Sequence, residues 1–257
     1  MFGFGVAPPN HRTQSKSSSK VSSGRLKCRV LVDFDGTIAT VDTTDLLLER
    51  FAEPGWLAIE DEWKAGRIGS RECMIRQIDL VKATPDQYDD FVSSIEIDPG
   101  FSDFVAACEK RDVDILVVSD GLDRTVGTVL KRAGFDLPFR ANQLRTVGAD
   151  RWRLTFPHAR GDCHVLSGNC KCQFADAARG SVRVVVGDGR SDFCVSGRAD
   201  LVLAKGALAD HCRNSNLPHF AFTHFEEATD AFGRWLDDRD GRSEDGRMIF
   251  TEQPRDE

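Results

Sequence analysis

The chain has 257 residues, a formal net charge of -7, 40% hydrophobic and 29% charged residues, the make-up of an ordinary soluble protein with room for one core plus an insertion or a second domain. No apolar run approaches the ~20 residues of a membrane span. Six bases and no acid fall in residues 1–30, so the body is more acidic than the net figure, which argues against broad nucleic-acid binding because that draws its affinity from neutralising phosphates.

Residues 1–26 are rich in Ser, Lys and Gly without apolar periodicity, and they read as a disordered basic tail, with a transit peptide as the alternative. A short apolar, β-branched run from Cys28 to Val32 follows, which suits a strand buried on both faces of a parallel sheet. It runs directly into Asp33-Phe34-Asp35-Gly36-Thr37. Gly36 breaks the strand, so Asp33 stands at its carboxyl end and Asp35 in the turn, the place where open α/β sheets bind ligands. Two carboxylates there can hold a hard dication through oxygen, and one can attack phosphorus while the other moves protons. As a purely structural turn they would be expensive, since an unpaired buried carboxylate costs several kcal/mol.

From Asp42 to Phe91 the periodicity turns helical, with Leu46, Leu47, Leu48 and Phe51, then Trp56, Ile59 and Trp63, then Met74, Ile75 and Ile78. Breaks at Pro54-Gly55, Gly66, Gly69 and Thr84-Pro85 divide it into several short helices, predicting a helical cap over residues 41–97. After a helix over Phe101 to Lys110, a second apolar run, Asp114 to Val118, stops at Ser119-Asp120-Gly121, and Asp123 is placed to cap the next helix. Alternation in Phe139 to Leu144 and Trp152 to Phe156 predicts a β-hairpin. A third run, Val182 to Val186, ends in Gly187-Asp188-Gly189-Arg190-Ser191-Asp192. Short strands at Leu201 to Ala204 and Phe220 to Phe222 and a helix from Phe225 to Leu236 complete the core, leaving 237–257 as a flexible acidic tail. The core is thus expected to comprise 27–40 and 98–236.

Three buried strands each end in a carboxylate or hydroxyl followed by glycine, and right-handed crossovers bring such ends to one edge of a parallel sheet. Together they offer a nucleophile, a proton shuttle, oxygen ligands for Mg²⁺ and donors for phosphate oxygens. Lys171, at a helix start after Cys170, supplies the missing cation.

With Asp33-x-Asp35-Gly-Thr, Ser119, Lys171 and Gly187-Asp188-Gly189-x-x-Asp192 in that order, the chain resembles the haloacid dehalogenase superfamily over roughly residues 28 to 205. The resemblance implies an α/β, Rossmann-like three-layer core and Asp33 as the nucleophile forming an aspartyl-phosphate. It further implies Asp35 as general acid and base, and Ser119 and Lys171 gripping the phosphate in a loop that includes Asp120 and Gly121. Mg²⁺ would be held by Asp33, the main-chain carbonyl of Asp35 and Asp188, with Asp192 behind them. A helical cap after the first strand is similar to the phosphoserine-phosphatase-like branch. Within that branch Phe51 to Trp56, Asn142 and the Cys-bearing approach to Lys171 resemble the methionine-salvage phosphatases of 2-hydroxy-3-keto-5-methylthiopentenyl-1-phosphate. Asp120 stands where many relatives have Gly, and its charge must turn away from a bound phosphate.

The expectation is a cytoplasmic, Mg²⁺-dependent hydrolase of a small-molecule phosphate ester. The alternatives are a phosphoserine, phosphoethanolamine or phosphocholine phosphatase and a catalytically silent phosphate-binding scaffold. The eight cysteines are expected to be reduced structural thiols. Cys163, Cys170 and Cys172, with His158 and His164, are the alternative as zinc ligands, against which the Cys-x-Cys spacing speaks. Arg67 and Arg71 are candidates for a substrate carboxylate or phosphate, or simply a solvated face, and Trp56 and Trp63 read as cap core.

Overall fold

Residue by residue, β1 (Cys28–Val32) turns its side chains to opposite faces of the sheet, and both faces are covered. Val30 and Val32 join Phe101 and Phe104 of α5 (Phe101–Lys110) and Phe225 and Phe232 of α10 (Phe225–Arg239). Leu31 joins Cys172 and Ala175 of α7 (Lys171–Ala177), Val195 of α8 (Phe193–Ser196) and Leu208 of α9 (Gly206–Asn214). This two-sided cover is why the strand reads as a continuous apolar run rather than an alternating one. The structure, a computed structural model, describes residues 27–239; the tail expected at 1–26 lies outside them, and of the tail expected over 237–257 the residues 237–239 instead complete α10 while 240–257 lie outside the described residues.

β1 pairs in parallel with β2 (Asp114–Leu122) on one side and β5 (Val182–Gly187) on the other. Beyond β5 come β6 (Leu201–Ala204) and β7 (His219–Ala221), both parallel. Beyond β2 come β3 (Phe139–Thr146), also parallel, and β4 (Trp152–Thr155), antiparallel to β3. The seven-stranded order is therefore β4-β3-β2-β1-β5-β6-β7, a mostly parallel α/β sheet of the expected class. The predicted hairpin exists as β3 and β4, and it extends the main sheet because β3 pairs with β2.

Between β1 and α5 lie α1 (Thr43–Phe51), α2 (Trp56–Lys64), α3 (Ser70–Ile78) and α4 (Pro85–Ser93). Thr84 and Gln87 form a reciprocal capping box with Pro85 in the first turn, which accounts for the sharp start of α4. Leu47, Leu48, Met74, Ile78, Tyr88 and Phe91 of these helices are continuous with the apolar cluster beneath the sheet. Tyr88 also hydrogen-bonds Thr125 of α6 (Asp123–Arg132) at 2.6 Å and packs 4.8 Å from the Trp152 ring. The expected cap by Asp123 is not made: its carboxylate accepts the Leu144 N–H at 2.9 Å and the Arg145 guanidinium at 2.8 Å, tying α6 to β3. No helix among the described residues is long and apolar enough to cross a membrane.

Candidate active site

The chain leaves β1 through a wide turn closed by Ala39 N–H to the Phe34 carbonyl at 2.8 Å, with Phe34, Thr37 and Ile38 buried beneath it. Gly36 occupies the left-handed region at φ 67°, and a Cβ there would lie 2.4 Å from Asp188 Oδ2. Both the backbone and the space thus require glycine, which lets the turn after β1 and the end of β5 touch. Thr37 Oγ1 donates to Asp188 Oδ1 at 3.2 Å across that contact, and Lys205 Nζ props the turn from below through the Thr37 carbonyl at 3.2 Å.

Asp33 and Asp35 are held differently. Asp33 is buried, accepts the Phe34 N–H at 2.8 Å and sits 2.7 Å from Lys171 Nζ. Asp35 accepts from the Thr43 N–H at 3.0 Å and hydroxyl at 2.5 Å, and from Ser119 Oγ at 3.2 Å. Burial, then the charges of Asp42 and Asp33, push the Asp35 carboxyl up to about 7 even though the Thr43 bonds pull it down. An acid poised near neutrality can both give and take a proton.

Lys171 opens α7 and is itself buried. Its ammonium also donates to Asp192 Oδ1 at 2.6 Å and Ser191 Oγ at 3.0 Å. Burial works against that charge, yet Asp192 and Asp33 outweigh it and hold the pKa above that of an ordinary lysine. Asp192 Oδ2 accepts the N–H groups of Asp188 and Gly189 at 3.3 and 3.5 Å, so this carboxylate is spoken for on both oxygens and braces the loop after β5. Burial and then the Asp33 charge raise Asp188 to about 6.

Ligand oxygens of Asp33, Asp188 and Asp192 all lie within 4.8 Å of one another. Four carboxylates, Asp33, Asp35, Asp188 and Asp192, thus stand at these strand ends, and the Lys171 ammonium pairs with two of them, Asp33 and Asp192. Their donors are all oxygen, and burial and then neighbouring carboxylate charge raise three of them, Asp35 to about 7, Asp188 to about 6 and Asp192 well above its usual value, so the residues fit a hard dication such as Mg²⁺. Asp33, Asp188 and Asp192 are the side chains that could hold it, Asp33 and Asp192 being shared with the Lys171 ammonium.

Ser119 accepts the Gly121 N–H at 2.8 Å, which fixes its hydroxyl beside Asp35. The Asp120 carboxylate turns away from this pair toward Ser70, Asn142, Ser167 and Asn169. Sequence reading brought together the right strand ends but missed Thr43, Ser191, Asn169 and Lys205. Of these only Ser191, inside a motif, and Asn169, two residues before Lys171, carried a positional hint. The structure does not bring the cap arginines to the carboxylates: Arg67 is exposed, and Arg71 lines a cavity of about 210 Å³ with Gly69, Glu72, Ile75 and Leu166. Trp56 packs on the core, while Trp63 lies under the Arg190 guanidinium, 5.6 Å from its ring centre. Two pairs of cysteines meet, Cys172 with Cys194 at 3.2 Å and Cys170 with Cys163, and all eight are free thiols.

Paired carboxylates and a serine at the ends of neighbouring parallel strands, with a lysine at the start of α7, define a hydrolase-type site for an anionic group. The chain belongs to the haloacid dehalogenase-like hydrolases, whose family model matches residues 30–196. It is 32% identical to the 2-hydroxy-3-keto-5-methylthiopentenyl-1-phosphate phosphatase of Geobacillus thermodenitrificans, over 79% of this chain and 94% of that one. With the protein of the same name from Brevibacillus brevis it shares 30% identity, over 78% and 93%. A solved phosphoserine phosphatase, described as a phospho-aspartyl intermediate analogue, has the same fold at a TM-score of 0.64 and 20% identity, covering 81% of this chain and 99% of that one.

Proposed function

We propose that the chain is a Mg²⁺-dependent phosphatase of a small phosphate monoester, with 2-hydroxy-3-keto-5-methylthiopentenyl-1-phosphate as its substrate. The observation that carries the reaction class is the unequal treatment of two neighbouring carboxylates: Asp33 lies against the Lys171 ammonium, and Asp35, two residues on, is raised to about 7. Asp33 attacks phosphorus and becomes an aspartyl-phosphate, while Asp35 protonates the leaving oxygen and then takes a proton from the water that cleaves the intermediate. Lys171 and the Ser119 hydroxyl hold the phosphoryl oxygens. Mg²⁺ on Asp33, the Asp35 carbonyl and Asp188 would neutralise charge at the phosphoryl group.

The substrate reading is supported by the two relatives of that name, each matched over more than nine-tenths of its length. In the cap, Arg76 is paired with Glu62 at 2.8 Å and is not placed to receive the carboxylate of phosphoserine. Burying an unpaired substrate charge is what a site discriminates against most strongly. The test is kcat/KM across a panel of phosphate esters with Mg²⁺ and with EDTA. The thiopentenyl phosphate is expected to lead, and a lead by phosphoserine, phosphoethanolamine or phosphocholine would overturn the substrate assignment while leaving the reaction class standing.

A further inference from the structure

The pairing of β2 with β3 shifts register between Val118 and Leu122, so Ser119, Asp120 and Gly121 lie in a bulge where the regular ladder is interrupted. A bulge re-aims side chains and leaves backbone groups in need of partners. Here two asparagine amides supply them. Asn169 Nδ2 donates to the Ser119 carbonyl at 2.8 Å and the Arg140 carbonyl at 2.9 Å, and Asn142 Nδ2 donates to the Asp120 carbonyl at 2.6 Å.

The Asp120 carboxylate gathers the rest. Its Oδ1 accepts the Asn169 N–H at 2.7 Å and Asn142 Nδ2 at 3.1 Å, and its Oδ2 accepts the hydroxyls of Ser70 at 2.7 Å and Ser167 at 3.3 Å. Ser70 opens α3, and its hydroxyl in turn accepts the Gly168 N–H at 3.3 Å. Gly69 and Leu166 meet closely enough that a Cβ on Gly69 would lie 2.5 Å from Leu166 Cβ. Ser119 precedes Asp120 directly, and Lys171 follows Asn169 by two residues. Three segments distant in sequence therefore close on one carboxylate. The arrangement is costly, because Asn142 and Asn169 are fully buried and each leaves its Oδ1 without a protein donor.

We propose that Asp120 is a positioning residue: its carboxylate clasps the start of α3 to the segments that carry Ser119 and Lys171, so that these two phosphate-gripping groups are in register only while α3 is seated. With α3 lifted, the carboxylate loses the Ser70 donor and is left as an anion beside the phosphate site, where it disfavours the substrate. Seating of the helix and binding of phosphate thereby favour one another. The inference rests on the phosphatase reading but not on the identity of the natural ester.

The test uses the full chain, an aryl phosphate as substrate and inorganic phosphate as competitive inhibitor. Ser70→Ala removes one hydroxyl and is expected to raise both KM and the phosphate Ki about 3- to 10-fold, the worth of one hydrogen bond, with kcat less affected. Asp120→Ala is expected to do more, and the double variant little more than Asp120→Ala alone, since the two act through one contact. Asp120→Asn keeps an acceptor for Asn169 and Asn142 and offers an amide to the serine hydroxyls, and it is expected to recover most of the loss. Should Asp120→Ala fail to fold, Ser70→Ala and Asp120→Asn still decide the matter. An unchanged phosphate Ki in Ser70→Ala, or additive losses in the double variant, overturns the clasp. Absence of wild-type turnover on any phosphate ester would instead strike at the proposed function.

Discussion

Lys171 sets its ammonium 2.7 Å from Oδ2 of Asp33, and both side chains are buried. Two segments far apart in sequence meet in that pair, and the proposed nucleophile is oriented by it. Asp33→Asn is expected to lower kcat on an aryl phosphate by ~10³-fold or more, the scale of losing an attacking group. The fold should survive, because Lys171 keeps Asp192 as its partner at 2.6 Å. Steady-state kinetics with circular dichroism checks both parts, and residual turnover within about tenfold of wild type removes Asp33 from its role.

Stability should respond to pH and Mg²⁺ together. Asp35 at about 7 and Asp188 at about 6 both lie above the ordinary 3.8 of an unfolded aspartate. Between these values the unfolded chain has released protons that the folded chain still binds. The stability these groups contribute is therefore fully present at low pH and is lost as pH rises through the folded values. A divalent cation takes the place of those protons, so Mg²⁺ is expected to raise Tm more at about pH 8 than at about pH 5. Thermal melts with and without Mg²⁺ at both pH values measure it, and an equal shift at the two would contradict the linkage.

The strand ends were readable because buried parallel strands announce themselves as apolar runs and because carboxylates followed by glycine are expensive unless used. Asp120 was the exception. Beside a serine expected to bind phosphate its charge looks misplaced, and only tertiary contacts from Ser70, Asn142, Ser167 and Asn169 show where it goes. The pairing of β3 was hidden for a related reason: alternation reports which face a residue takes, whereas the neighbouring strand is set by long-range register. Asp123 was misread as a cap because a local hydrogen bond lost to the backbone and guanidinium of β3.

Gly121 offers a clean steric probe. A Cβ there would stand 2.4 Å from Asp35 Oδ2 and 3.0 Å from Ser119 Oγ. Gly121→Ala is expected to reduce kcat/KM by ~10²-fold through misplacement of the proton shuttle, with little change in Tm. Gly36→Ala should lose Tm as well, since φ 67° strains any side chain and the Cβ strikes Asp188. Equal activity losses without a Tm difference between the two would refute the distinction.

Tyr88 tests the helical segment away from the chemistry. Its ring is fully buried and its hydroxyl meets Thr125 at 2.6 Å. Tyr88→Phe is expected to cost ~1–2 kcal/mol by leaving the Thr125 hydroxyl unpaired, lowering Tm by about 2–8 °C with kcat unchanged. A variant as stable as wild type would show that the bond contributes nothing net.

β1 occupies the middle of the sheet, and its neighbours come late. The Arg29–Asp114 contact spans 85 residues and the Thr37–Asp188 bond 151. At a synthesis rate of ~5–20 residues per second, the first carboxylates leave the ribosome roughly 8–30 s before the aspartate that completes their site. Through that interval the central strand of the sheet has no β5 to pair with. A nascent chain arrested before Val182 carries Asp33 and Asp35 without Asp188, so the carboxylate set is completed only late in synthesis.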